Sequence, residues 1–243
     1  LTAWNVRQQR MSGLQPSGQQ ASVDQAASLP HHRAMTDVTR LKGPMAAPAS
    51  GRDPQSMVIL LHGYGSNGDD LMGLVPYWRA SLPDTVFMAP NAPDICPGAP
   101  GGYQWWSLTD LGRESRAAGV RQAAPLVNAF IDMHRAAYDL PNRKVALVGF
   151  SQGTMMALHV GPRRPEALAG IVGYSGMLAD PDALQTELQT KPPLLLVHGD
   201  ADPMVPFAAM SQAEAEFSGM GFEISTHASR GLGHSIDEAV QLG

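Results

Sequence analysis

From residue 56 onward the chain alternates short apolar runs with longer stretches in which apolar residues recur every three or four positions. Residues 57–61, 86–89, 144–150, 169–174, 193–198 and 222–228 read as strands. Runs such as Val58-Ile59-Leu60-Leu61 and Leu194-Leu195-Leu196-Val197 carry no alternating polar position, as expected of strands covered on both faces. Helices are predicted at 69–81, 113–138, 152–160 and 208–219, with Pro125 kinking or dividing the second. Strand followed by helix, repeated, implies an α/β fold: a mostly parallel central sheet, helices on both faces and right-handed crossovers. Its ligand site is expected beyond the carboxyl ends of the strands.

Composition and charge divide the chain near residue 50. Residues 1–50 carry a net charge of +3 and the remainder −8. Residues 1–34 are rich in Gln, Ser and Ala and begin with Leu, so 1–50 read as a leader and linker, disordered or vector-derived. Met35 is a sensible native start. Residues 36–41 could form a short edge strand before the Pro-rich linker 43–54, leaving 51–243 as one catalytic domain. The overall charge of −5, with no dense Lys/Arg block, argues against a nucleic-acid partner. The lone Cys96 can form neither an intrachain disulfide nor a Cys-based zinc site, which suits a cytoplasmic location. Every apolar run falls far short of the roughly 20 residues needed for a membrane span.

The strongest chemical signal is Gly149-Phe150-Ser151-Gln152-Gly153, set between a buried strand and a helix. A Gly-x-Ser-x-Gly turn exposes a serine on a sharp strand-to-helix bend whose glycines leave room for the backbone. The helix that follows aims its first amides at the same spot, and the Gln152 N–H is placed to bind an oxyanion. A serine nucleophile needs a base, and the base needs a carboxylate, in chain order Ser, acid, His. The loop His198-Gly199-Asp200-Ala201-Asp202 offers two carboxylates. Asp200, nearer the strand, suits a turn residue that bonds backbone amides. Among eight histidines, His31 and His32 lie in the leader, and His62 precedes the serine. His134 and His159 sit in helices, and His198 and His227 in strands. His234 remains, in the Gly-rich loop after the last strand. The loop Gly63-Tyr64-Gly65-Ser66-Asn67-Gly68 either supplies a second oxyanion amide, at Tyr64, or merely caps the next helix.

These residues resemble the phospholipase/carboxylesterase family of α/β-hydrolases, which includes the acyl-protein thioesterases. Four motifs in order carry the resemblance between residues 57 and 234: Leu61-His62-Gly63-Tyr64-Gly65, Gly149-Phe150-Ser151-Gln152-Gly153, His198-Gly199-Asp200-Ala201-Asp202-Pro203-Met204-Val205-Pro206 and Gly233-His234. Pro90-Asn91-Ala92-Pro93 and Gly101-Gly102-Tyr103-Gln104-Trp105-Trp106 add to it. The resemblance implies Asp202, the carboxylate before Pro, as the acid and the Tyr64 amide as an oxyanion donor. It implies a serine hydrolase acting on small-molecule carboxylic esters of small to medium acyl chains, without metal or cofactor. Thioester or lysophospholipid substrates would use the same machinery, and a catalytically silent binding module on the same fold is the rival class. Such proteins can form a homodimer through apolar patches, though no feature here fixes one.

Similar proteins usually continue through a final helix, and only nine residues follow His234. Either the sequence stops short of that helix or the closing element is shortened, and 235–242 read as at most its start. Trp105 and Trp106 stand in a Gly/Pro-rich loop, where they could form a substrate-binding surface or plug the core. Met155 and Met156 read as core filler, and Cys96 as an inert apolar residue.

Overall fold

The computed structural model describes residues 41–236. Its strands are β1 (Met45–Ala46), β2 (Ser56–Leu61), β3 (Thr85–Met88), β4 (Asp94–Ile95), β5 (Tyr103–Gln104), β6 (Val145–Phe150), β7 (Gly170–Tyr174), β8 (Leu194–Gly199) and β9 (Ile224–Ser229). The helices are α1 (Gly68–Met72), α2 (Val75–Trp78), α3 (Arg113–Ala137), α4 (Gln152–Val160), α5 (Pro181–Glu187) and α6 (Ala208–Gly219). Seven strands form one sheet in the order β1-β3-β2-β6-β7-β8-β9, and β4 and β5 form a separate hairpin. Within the large sheet only β1 runs antiparallel, pairing Met45 with Met88.

Strand order reverses between β2 and β6: from β2 the chain moves outward to β3, and from β6 it moves outward the other way to β9. The loops that leave β2 and β6 therefore meet at the switch point, the place where open α/β sheets bind their ligands. Residues facing opposite sides of β2 enter two different clusters. Met57, Ile59 and Leu61 pack with Val120, Val127 and Ile131 of α3, Met156 of α4 and Phe217 of α6. Val58 and Leu60 pack with Leu71, Leu74 and Val75 on the other face. This two-sided burial is what the unbroken apolar runs require.

Three differences from the sequence-based expectations have local causes. The helix expected over 69–81 is two short ones, because Pro76 has no N–H to give the carbonyl of Met72; Asn67 caps the first, its Oδ1 accepting from the Asp70 amide at 3.1 Å. Pro125 does not divide α3: it lies on the exposed side, where the carbonyl left unbonded at Arg121 can turn to water. The edge strand β1 falls inside the segment read as a Pro-rich linker; the strand expected at 36–41 lies outside the described residues apart from Leu41, which is buried outside any strand. The closing helix expected after His234 also lies outside them from residue 237 on. Among the described residues, no helix is long and apolar enough to cross a membrane.

The far end of α4 buries His159, with Asp180 Oδ2 3.9 Å from its Nδ1. Burial, reinforced by the Arg163 charge, holds its pKa down at about 4 against the attraction of Asp180 and Glu187. Between about pH 6.5 and 4 the unfolded chain therefore binds a proton at this residue that the folded chain refuses, so stability falls as pH falls through that window. His159→Gln should flatten the dependence of the urea midpoint on pH between 7 and about 4.5, whatever it does to the midpoint at pH 7.

Candidate active site

Ser151 joins β6 to α4 with φ +54° and ψ −114°, a left-handed conformation that costs a non-glycine residue of order 1–3 kcal/mol. Its neighbours show why the turn needs glycine. A Cβ on Gly149 would meet the backbone of Gly153 and Thr154 at 2.5 Å, and one on Gly153 would lie 1.8 Å from the Leu61 carbonyl oxygen. The bend is held from β7, whose Tyr174 carbonyl accepts both the Ser151 amide at 2.9 Å and the Thr154 hydroxyl at 2.8 Å.

The acid and histidine loops clasp each other beyond β8 and β9. Asp200 Oδ1 accepts the Gly231 amide at 2.6 Å, and the Ala201 amide donates to the Leu232 carbonyl at 3.0 Å. Gly199 faces this clasp so closely that a Cβ would sit 2.2 Å from the Leu232 carbonyl oxygen. Asp200 is thus a cross-loop tie and not the local turn residue expected of it; the amides of its own loop are bonded by Asp202. Asp202 is fully buried: Oδ1 accepts the Met204 and Val205 amides at 2.8 and 2.9 Å, and Oδ2 lies 2.7 Å from His234 Nδ1. Burial by itself would raise its pKa, but the bond and charge of His234 and the two amides outweigh it, holding the carboxyl below its ordinary value.

A carboxylate facing Nδ1 fixes the proton there and leaves Nε2 of His234 with its lone pair. The ring is one-fifth exposed and packs on Phe150, the residue before Ser151, at a centroid distance of 4.9 Å. Asp202 and His234 are therefore brought into contact, and His234 is brought to the neighbour of Ser151. Among the described residues, no hydrogen bond joins Ser151 Oγ to His234. His227, in contrast, stands exposed in the middle of β9.

On the other side of Ser151 lies the loop after β2. A Cβ on Gly63 would come within 3.3 Å of the Ser151 Cβ, which measures how closely this loop approaches the serine. Among the described residues, no protein group accepts the Tyr64 amide. The Gln152 amide opens α4 and has no carbonyl one turn back to bond. Both expected oxyanion donors are therefore free of protein acceptors.

His62 anchors this loop with both ring nitrogens and its carbonyl. Its Nδ1–H donates to the Gly63 carbonyl at 2.7 Å and its Nε2 accepts the Ala92 amide at 2.9 Å, a neutral tautomer favoured by burial, which lowers its pKa. Its carbonyl accepts the Trp105 indole N–H at 2.9 Å. The Gln152 side chain completes the frame, accepting the Trp105 amide and donating to the Trp106 carbonyl, each at 2.9 Å.

Trp105 and Trp106 consequently do not form the exposed surface expected of them; they are buried. They are only 2% and 5% exposed, Trp105 bracing His62 and Trp106 pressed against Gly119 of α3. They are held inward by the Gln152 side chain on α4 and by the close approach of Trp106 to Gly119 on α3. Met155, Met156 and Cys96 are buried as well.

Sequence reasoning gave no role near the serine to His62, to the Gln152 side-chain carboxamide, to His198 or to Ser175. Ser175 follows β7 with φ +48° and a buried hydroxyl that has no partner among the described residues. The dipeptides His62-Gly63 and His198-Gly199, each a histidine at a strand's carboxyl end before a glycine, were the available signal.

Residues 45–241 match the profile of the phospholipase/carboxylesterase family. The chain belongs to this family. Among its relatives, acyl-protein thioesterase 1 of Schizosaccharomyces pombe is 32% identical over 170 residues, covering 66% of this chain and 74% of that protein. Esterase YpfH of Escherichia coli is 27% identical over 184 residues, covering 75% and 77%. The crystal structure of esterase PE8 superposes with a TM-score of 0.80 at 43% identity, covering 83% of this chain and 94% of that one. This phospholipase/carboxylesterase family member is thus a hydrolase of the carboxylesterase/thioesterase type with an α/β-hydrolase fold.

Proposed function

We propose that Ser151, His234 and Asp202 form a catalytic triad that hydrolyses carboxylic esters of small to medium acyl chains through an acyl-enzyme. The observation that carries this reading is the 2.7 Å pairing of His234 Nδ1 with the buried Asp202 carboxylate, on a ring packed against the residue before a strained serine. His234 Nε2 takes the Ser151 proton as Oγ attacks the ester carbonyl. The oxyanion of the tetrahedral intermediate accepts the Tyr64 and Gln152 amides. His234 then gives its proton to the leaving alcohol, the acyl group stays on Ser151, and a water activated by the same nitrogen releases it as a carboxylic acid. Asp202 stays ionised throughout and stabilises the imidazolium. The absence of a Ser151–His234 bond without substrate is compatible with this, since such contacts often tighten only in the substrate complex.

The test is covalent labelling by a fluorophosphonate probe. Labelling of the wild-type chain that is lost in Ser151→Ala supports the triad; a folded wild-type chain that takes no label favours a silent binding module. The similarity to an acyl-protein thioesterase gives a second reading, thioester cleavage by the same groups. Initial rates on p-nitrophenyl esters of increasing chain length, a matched acyl thioester and a lysophospholipid separate the two.

A further inference from the structure

Asp202 Oδ2 has two histidine neighbours. His234 approaches from the loop after β9, and His198, at the carboxyl end of β8, places its Nε2 3.3 Å away. The same nitrogen lies 2.9 Å from the Val205 carbonyl. A carbonyl can only accept, so Nε2 carries the proton and donates it to Val205, with the Oδ2 charge lying beside the same N–H. The His198 side chain is 1% exposed, and its ring is held edge-on by Phe207 at a centroid distance of 6.0 Å. It has no other place to turn. We infer that His198 is a positioning residue of the proposed triad: its Nε2–H, bonded to the Val205 carbonyl, fixes the turn whose amide holds Asp202 Oδ1 and sets its positive end beside Oδ2, tempering how strongly the carboxylate holds His234.

This inference rests on the triad reading and deepens it. The groups around the pair leave His198 as the one adjustable donor. Oδ1 is fixed by two backbone amides that no side-chain change removes. Asp200 is turned to the Gly231 amide. On β9, His198 pairs with Ala228, so the neighbouring His227 points to the other face. On β7, Tyr174 packs with Val197 on that same opposite face, and burial raises its pKa, keeping it neutral. From the side of α6 the ring meets Phe207, and the first residues of that helix, Ala208 to Met210, carry no charge.

The electrostatic sign follows. With His198 in place, the Oδ2 charge that faces His234 is partly offset by the N–H dipole beside it. Without that donor the undivided charge favours the His234 imidazolium, so the base is lost at a higher pH. His198→Leu should raise the acid limb of kcat/KM by about 0.5–1 pH unit, seen as roughly a three- to tenfold loss below the limb relative to the plateau. His198→Gln, whose amide N–H reaches the Nε2 position, should bring the limb back toward the wild-type value. A purely structural role, propping the Val205 carbonyl, would lower the melting temperature and the plateau while leaving the limb in place.

The profiles are measured on each variant with a p-nitrophenyl ester, with fluorophosphonate titration to count competent sites. Wild-type protein without label at Ser151 would defeat the triad reading. Full labelling with an unmoved limb in His198→Leu would defeat the His198 inference alone. Should the Leu variant fail to fold, long-range ¹H–¹⁵N imidazole spectra of the wild-type chain decide: the inference requires the Nε2–H form of His198 beside the Nδ1–H form of His234, and an Nδ1–H His198 overturns it.

Discussion

Asp202→Asn is expected to lower kcat on a p-nitrophenyl ester by about 10⁴-fold while leaving the fold intact. The substitution preserves size, and one amide oxygen can still accept the Met204 and Val205 amides that now bond Oδ1. The NH₂ group must then face His234 Nδ1, where the carboxylate Oδ2 stands at 2.7 Å. Two N–H donors cannot share that position, so the imidazole proton moves to Nε2. The ring then presents a proton to Ser151 in place of a lone pair. His234→Ala should cost at least as much, about 10⁴–10⁶-fold, by deleting the base itself. His227→Ala, on the exposed face of β9, should stay within about twofold of wild type. Steady-state kinetics on the three variants, with circular dichroism to confirm folding, checks the assignment; equal losses at His234 and His227 would undo it.

The second large effect concerns folding. Gly153→Ala would drive a methyl group to within 1.8 Å of the Leu61 carbonyl oxygen and 2.8 Å of the His62 carbonyl oxygen. Both obstacles are backbone, one within β2 and one at its end, so neither can rotate aside. The helix α4 would have to lift off the sheet where it carries Ser151. Overpacking of this kind typically costs about 1–3 kcal/mol, and a clash with two rigid backbones places this one at or above the upper end. Gly219, the last residue of α6, is the matched control, since a Cβ there meets nothing within 4 Å. Gly219→Ala should be neutral or stabilising by up to about 1 kcal/mol. Urea unfolding of the two variants separates a steric requirement from a general sensitivity of glycine to replacement.

The parallel core was readable because burial on both faces leaves unbroken apolar runs, and Gln152–Val160 and Ala208–Gly219 were found with their observed ends. The hairpin β4–β5 was not, since two-residue strands in a Gly/Pro-rich loop have no periodicity to detect. Helix α5 was also overlooked, although Asp180-Pro181 carries an N-cap type residue followed by proline at the first helical position. At the site, motif and chain order selected Ser151, Asp202 and His234. Spacing could not reveal that Trp105 turns inward, because its direction is set by bonds to His62 and Gln152, 43 and 47 residues away. For the same reason His198 read as a strand residue: its contact with Asp202 exists only once the loop has turned.

The most direct test of the account is the mass of the intermediate. Rapid acid quench of the chain with a p-nitrophenyl ester, followed by intact and peptide mass spectrometry, should show one added acyl group on the peptide containing Ser151. It should accumulate in His234→Ala far more slowly, if at all. An acyl group carried by another residue, Cys96 included, or turnover of the ester with no acylated protein at any quench time, would contradict the account.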